Sequence, residues 1–189
     1  MATTQDAALA AARKTGKPVQ VSSLLTSQWE VNALPNGQME PVLNAKPSQQ
    51  WTLREVSDGD YKLVNVNSGK CADVGADGDG AEVWQWGCYD AVGQLWNIVK
   101  QDNGVDIVSK RSGKCVEVWE SSTGDGARVL QWTCSGDAAQ RWKLTSVNTA
   151  VLGGTDHTLG VEARTGSTAL KLNSDGDANT VGYAETALR

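Results

Sequence analysis

The stretch "VWQWGCYDAVGQLW", Val83 to Trp96, decides the reading of this chain, because its order of residues returns as "VLQWTCSGDAAQRW", Val129 to Trp142. Each window sets a tryptophan two residues before a cysteine and ends on Gln-x-Trp. Working outward, "SGKCADV" (Ser68 to Val74) stands ahead of the first window as "SGKCVEV" (Ser112 to Val118) stands ahead of the second. One interval before Trp96 lies Gln49-Gln50-Trp51. The signature therefore occurs three times with a period of roughly 45 residues, and a fixed period of that length marks a repeat architecture. In the first copy Glu30-Val31 lies under Asp73-Val74 and Glu117-Val118; that copy is degenerate and has no cysteine.

The remaining composition agrees with a β-rich repeat protein. The 189 residues include 20 Gly, 8 Trp, 3 Tyr and no Phe. Short Val-rich runs are broken by Asn, Asp, Gly and Ser, the pattern of strands separated by turns. With 17 Lys and Arg against 22 Asp and Glu, the net charge is -5. No basic block is dense enough to neutralise a row of phosphates, which argues against nucleic acid as a partner. No apolar run has the length of a membrane-spanning helix, which argues against membrane insertion. The opening "MATTQDAALAAARKTGKPVQV" predicts a short helix capped by Thr4 or Asp6 and stopped by Gly16 and Pro18. Its basic residues Arg13 and Lys14 follow the apolar run, where a secretory signal would have them before it. No export signal is read there, and a mature chain or an excised fragment would look the same.

The four cysteines fall two per copy in the second and third repeats, Cys71 with Cys88 and Cys115 with Cys134. Equal placement favours those two pairs as disulfides, each closing a loop whose cross-link contributes on the order of 3 kcal/mol. Such pairs imply an oxidising, extracellular compartment. Metal binding competes with this reading, but zinc ligands usually come in close pairs, and the single histidine, His157, stands outside the repeats. Neither a metal nor a cofactor is expected.

Three repeats that open on Gly-Lys-Cys-x-acid-Val and close on Gln-x-Trp resemble the ricin B-chain-like lectins. The resemblance is specific over Tyr61 to Leu144 and fainter over residues 19–53. It implies an all-β fold, a β-trefoil in which each repeat supplies four strands and three hairpins cap a six-stranded barrel. On this pattern residues 1–17 form a helical arm, 18–147 the trefoil with its first Gln-x-Trp repeat degenerate, and 148–189 a C-terminal β extension of two to four strands. The extension either packs on the trefoil as a hairpin pairing with the N-terminal arm, the simpler arrangement, or helps to complete the degenerate repeat through Gly166 to Ala184.

The resemblance also implies sugar pockets within single repeats, made of an acid after the first cysteine, an aromatic before the second, and a polar pair ahead of the last tryptophan. A carboxylate accepts hydrogen bonds from neighbouring hydroxyls, while an aromatic face covers the apolar side of a sugar ring. Carried over, these roles fall on Asp73, Trp86 and Gln94 in the second repeat, with Trp84 added on the same strand face. In the third they fall on Glu117, Trp132 and Gln140, with Trp119 beside them. In the first repeat Leu43 takes the aromatic place, so no pocket is expected. The family's asparagine before the glutamine is replaced in every copy, by Ser48, Gly93 and Ala139.

Each residue also has a plainer reading. Trp51, Trp96 and Trp142 are expected in the core. Gln94 and Gln140 serve either a ligand or the hairpin, Trp86 and Trp132 either a platform or a cover for the disulfide, and Asp73 and Glu117 either a sugar or a turn. "DVGADGDGAE" (Asp73 to Glu82) and "NSDGDAN" (Asn173 to Asn179) bring to mind a calcium loop. In the first, however, the third and twelfth positions are Gly75 and Trp84, so a turn is favoured. No nucleophile and base, carboxylate pair or metal set has a signature, so no enzyme is expected. The sequence thus points to a secreted module that binds a galactose-type glycan or polysaccharide, either alone or fused to, or associated with, a secreted enzyme or toxin. The rival is a structural or protein-interaction trefoil with decayed sugar sites.

Overall fold

The computed structural model describes residues 4–23, 50–123, 127–146, 157–161 and 170–174. Short runs separated by turns give twelve strands among them. The barrel strands are β1 (Val19–Ser23), β2 (Gln50–Ser57), β3 (Asp60–Asn65), β6 (Trp96–Gln101), β7 (Gly104–Ser109) and β10 (Trp142–Ser146). The others form three hairpins: β4 (Cys71–Asp73) with β5 (Trp84–Trp86), β8 (Cys115–Val118) with β9 (Ala127–Trp132), and β11 (His157–Val161) with β12 (Leu170–Ser174).

These six strands pair in a closed ring, β1 to β2 to β3 to β6 to β7 to β10 and back to β1, all antiparallel. Closure removes the sheet edges that an open β-layer would expose. The register repeats around the ring. Trp51 lies opposite Asn65, Trp96 opposite Ser109 and Trp142 opposite Ser23. On their other sides the same tryptophans face Val19, Tyr61 and Val105. All three indoles are fully buried, in a core with Val21, Leu53, Leu63, Ile107 and Leu144. The Nε1–H of Trp96 donates to the Ala72 carbonyl at 3.1 Å and that of Trp142 to the Val116 carbonyl at 3.0 Å, so each ring also ties a hairpin to the barrel.

The hairpins hang from the barrel at equivalent points. Cys71 pairs with Val64, Cys115 with Val108 and Thr158 with Ser22. They also meet one another equivalently, Glu82 opposite Leu130 and Arg128 opposite Lys171. A barrel with three capping hairpins is the β-trefoil expected from the repeats. Its third hairpin comes from the far end of the chain and pairs with β1 and β9, while residues 24–49, which join β1 to β2 in sequence, lie outside the described residues. So does most of the stretch from Gly166 to Ala184, apart from β12.

The helix read at the N-terminus is α1, Thr4–Thr15, with Arg13 and Lys14 in its last turn, where they complement the helix dipole. The Gly16 N–H closes the last helical bond to the Ala12 carbonyl, and its φ of +64° then turns the chain out of the helix. Ala8, Leu9 and Ala12 are buried against the barrel. The Gln5 amide clamps the Leu144 backbone from both sides, donating at 3.2 Å and accepting at 2.7 Å.

Candidate functional site

Both expected disulfides are formed, Cys71–Cys88 and Cys115–Cys134. The thiols are therefore spent on cross-links, which removes the metal reading for them. The first disulfide pins β4 close to the segment after β5, and the alternation of the strands decides what faces outward. Ala72 and Gln85 point inward and are buried, whereas Trp84 and Trp86 are 40% and 59% exposed on one face. Trp84 stands opposite Asp73, and Trp86 opposite Cys71. Tyr89, just past the disulfide, adds a third exposed ring. Asp73, Gly75, Trp84, Trp86 and Tyr89 together line a cleft of about 300 Å³, at the small end of ligand sites. Exposed aromatics gathered around one carboxylate are unusual on a surface that has no other use for them.

The carboxylate is held in place. Oδ2 of Asp73 accepts from the Gln94 amide at 2.9 Å and from the Tyr89 hydroxyl at 2.9 Å. Gln94 spends its second N–H on the Gly87 carbonyl at 2.9 Å, while its Oε1 accepts from the Tyr89 backbone N–H at 3.0 Å. It is fully buried and both of its donors are used. Gln94 therefore braces the site, and the surface facing a ligand is Asp73 with its aromatic neighbours. Because a carboxylate offers about four acceptor positions, Asp73 keeps capacity beyond these two bonds. Its hydrogen bond and negative charge, with burial adding to them, hold the Tyr89 phenol above its ordinary value of 10.0, against a smaller opposing effect of Arg111. Tyr89 therefore stays protonated as a donor to Asp73, with lone pairs free to accept.

Gly93, where the resemblance leads one to expect asparagine, has a steric cause. A Cβ there would lie 2.6 Å from the Val74 carbonyl oxygen and 3.0 Å from Oδ1 of Asp73. The Gly93 carbonyl in turn accepts from the Val74 N–H at 3.0 Å. The backbone fills the space that an amide side chain would need.

The third repeat keeps the brace and changes the walls. Gln140 is buried and donates to Glu117 at 2.7 Å and to the Thr133 carbonyl at 3.0 Å, and it accepts from the Ser135 N–H at 2.8 Å. Trp132 stands opposite Cys115, as Trp86 stands opposite Cys71. In place of Trp84, however, the register has the buried Leu130, and the residue after the second cysteine is Ser135 rather than Tyr89. Trp119, the counterpart of Gly75, packs its ring 5.5 Å from that of Trp132 at a tilt of 51°. The Arg128 guanidinium lies 5.9 Å over Trp119, and Gly80 of the second repeat approaches the far edge of Trp132. Both indoles are half-buried, each covering the other. In the C-terminal hairpin, the register puts Thr158, Gly160 and Asn173 where the second repeat has Cys71, Asp73 and Trp86.

The loop read against calcium binding turns its acids onto the third repeat. Asp77 pairs with Arg111, Asp79 with Lys114 at 2.8 Å and Glu82 with Arg128 at 2.8 Å. The Asp79 carboxyl is held below its ordinary value of 3.8, chiefly by the Lys114 hydrogen bond and further by the Thr133 hydroxyl and N–H. The sequence reading missed Tyr89 and Gly75 as cleft residues. The only sign of Tyr89 is an aromatic directly after Cys88, and its counterpart in the next repeat is serine.

A family model described as ricin-type beta-trefoil lectin domain-like matches residues 47–132 and again 100–182, so the match runs past Leu144 into the C-terminal segment. No curated protein matches the chain. Among solved structures, a designed three-fold symmetric protein, ThreeFoil, is 31% identical over 68% of this chain and 98% of its own, with a TM-score of 0.56. An exo-β-1,3-galactanase from Clostridium thermocellum is 26% identical with a TM-score of 0.57, over 71% of this chain but only 31% of its own. A Macrolepiota procera lectin in complex with lactose shares the fold at 16% identity and a TM-score of 0.54, over 69% of this chain and 96% of its own.

Proposed function

Because the chain belongs to the ricin-type β-trefoil lectin domain-like family, we propose that it is a carbohydrate-binding module, without catalysis, whose working site is the cleft of the second repeat. The observation that carries this reading is the braced Asp73 carboxylate beneath the exposed faces of Trp84, Trp86 and Tyr89. An aromatic face and an anchored acceptor complement the two sides of a pyranose ring. Galactose-type glycans and polysaccharides are the first ligands to test, since the galactanase bears in its name a galactose polymer. The two disulfides fit a secreted, extracellular setting. In that setting the module would work alone or as the targeting part of a larger enzyme or toxin.

Glu117, Trp132 and Gln140 make a weaker second site, because Trp119 already covers Trp132. That packed lobe favours the rival reading, a trefoil used for structure or protein contact. Titrating the protein with galactose, lactose and xylan while following tryptophan fluorescence separates the two. Binding is expected, and Trp86→Ala should weaken it by roughly tenfold or more with an unchanged thermal midpoint, since that ring is mostly exposed. Asp73→Ala should abolish binding and also cost about 1–3 kcal/mol of stability, because the Gln94 and Tyr89 donors lose their acceptor. If no sugar of the panel binds, the protein-contact reading takes over.

A further inference from the structure

A buried lysine holds the segment that carries Tyr89. Lys62, on β3, is 4% exposed, and with Val56, Ala91, Val92 and Leu95 it lines a second cavity of about 290 Å³. An ammonium among such walls is expensive to desolvate, and a methionine would fill the place without that cost. Its partners account for it. Nζ donates to the Tyr89 carbonyl at 2.8 Å and to Oδ1 of Asp90 at 3.3 Å. Asp90 is fully exposed, so that ion pair contributes little, and the short bond is the one to the carbonyl. The Tyr89 peptide is thereby gripped on both sides. Its N–H donates to Gln94 Oε1 at 3.0 Å, while its carbonyl, which also accepts from the Ala91 N–H at 3.1 Å, is tied to the barrel. Fixing both groups fixes where the side chain leaves the backbone, and the hydroxyl at its far end meets Oδ2 of Asp73 at 2.9 Å. In the third repeat Asp106 takes the register place of Lys62, since Val105 faces Trp142 as Tyr61 faces Trp96. The cation there is Arg141, the counterpart of Leu95, which meets Asp106 at 3.5 Å and donates to the Gly136 carbonyl at 3.3 Å. That tie falls one residue past Ser135, which carries no ring to aim. Of the two lobes, the one with the open cleft is the one whose barrel lysine grips the aromatic residue itself. We propose that Lys62, which lines no part of the cleft, is its positioning residue: it holds the Tyr89 peptide so that the ring stands as a wall and the hydroxyl stays on Asp73. This deepens the carbohydrate-binding reading, on which its effect on affinity rests.

Lys62→Met keeps a long apolar stem and removes the cation. Because the exchange relieves a buried charge, the thermal midpoint should not fall, whereas Tyr89 should lose its aim. Two readouts separate that loss from a merely structural role. The first needs no sugar. Asp73 holds the Tyr89 phenol above its ordinary value of 10.0 through its hydrogen bond first and its charge second. Losing a nearby cation would by itself push the phenol further up, but losing the position over Asp73 brings it down. The alkaline titration of the Tyr89 ring, followed by its NMR signals, should therefore have its midpoint above 10.0 in the wild type and nearer 10.0 in Lys62→Met. The second readout is a double-mutant cycle with whichever of galactose, lactose and xylan the wild type binds. Lys62→Met alone should weaken binding by roughly three- to tenfold, the worth of one aromatic contact. It should have no further effect once Tyr89→Ala has removed the ring. A Tyr89 midpoint that stays or rises in Lys62→Met, wild-type affinity in that variant, or an equal loss in the Tyr89→Ala background overturns the positioning role and leaves the lectin reading standing. If the Tyr89 midpoint falls but the wild type binds no sugar, the carbohydrate reading is overturned and the tie of Lys62 through Tyr89 to Asp73 stands.

Discussion

At Gly93 a departure from the family's pattern becomes a statement about space. Its neighbours are the Val74 carbonyl and the Asp73 carboxylate, with 2.6 Å and 3.0 Å left to a Cβ. Restoring asparagine by Gly93→Asn should therefore weaken the protein by about 1–3 kcal/mol, the usual cost of overpacking, and push Asp73 out of its place. Urea denaturation would register the first effect and sugar titration the second. A variant as stable as wild type and a better binder would show that the missing amide, and not the backbone, limits the site. The residues legible in the sequence were those that recur. Trp96 and Trp142 read as core, Trp86 stands in the same windows, and Asp73 stands in the "SGKCADV" motif ahead of them. Tyr89 and Gly75 were not legible, because each occurs in one repeat only, with Ser135 and Trp119 as counterparts, and a repeat argument sees only what is shared. Gln94 was legible as a position, but its saturation by Asp73, Gly87 and Tyr89 is a property of the folded turn.

Between elements, the second and third hairpins are joined by carboxylates of one loop. Asp79 accepts from the Lys114 ammonium and, at 2.7 Å, from the Thr133 N–H, an arrangement that exists only in the folded chain. Asp60 does the same within the barrel, held below its ordinary value by the Ser57 hydroxyl first, then by Asn97 and Lys110. Since folding lowers both values, their contribution is fully present above the ordinary value of 3.8 and is lost as the pH falls through the folded ones. Urea midpoints should accordingly hold steady from neutral pH to just above that value and then fall. Asp79→Asn should lower the midpoint at pH 7 and flatten the acid decline. An acid decline as steep as that of wild type would remove Asp79 from this account. The disulfide hairpins were readable in sequence because cysteines, glycines and acids recur at one spacing. The C-terminal hairpin is not legible in that way, since Thr158 and Gly160 replace Cys71 and Asp73, and its position emerges only from pairing with Ser22 and Arg128.

Over the whole molecule, near-threefold symmetry in the barrel supports three unlike caps. The second repeat carries an open aromatic cleft, the third a pair of indoles packed on each other, and the C-terminal hairpin neither the acid nor the aromatic. Of the 8 tryptophans, Trp29 lies outside the described residues. The other seven divide into core, covered pair and exposed platform, and that division is the central claim. It is tested most directly by following the tryptophan indole N–H signals in proton–nitrogen correlation spectra while galactotriose or xylotriose is added. The signals of Trp84 and Trp86 should move first and those of Trp119 and Trp132 only at higher sugar concentration, while those of Trp51, Trp96 and Trp142 stay in place. No movement with either sugar, or movement at Trp119 and Trp132 with Trp84 and Trp86 still, would contradict it.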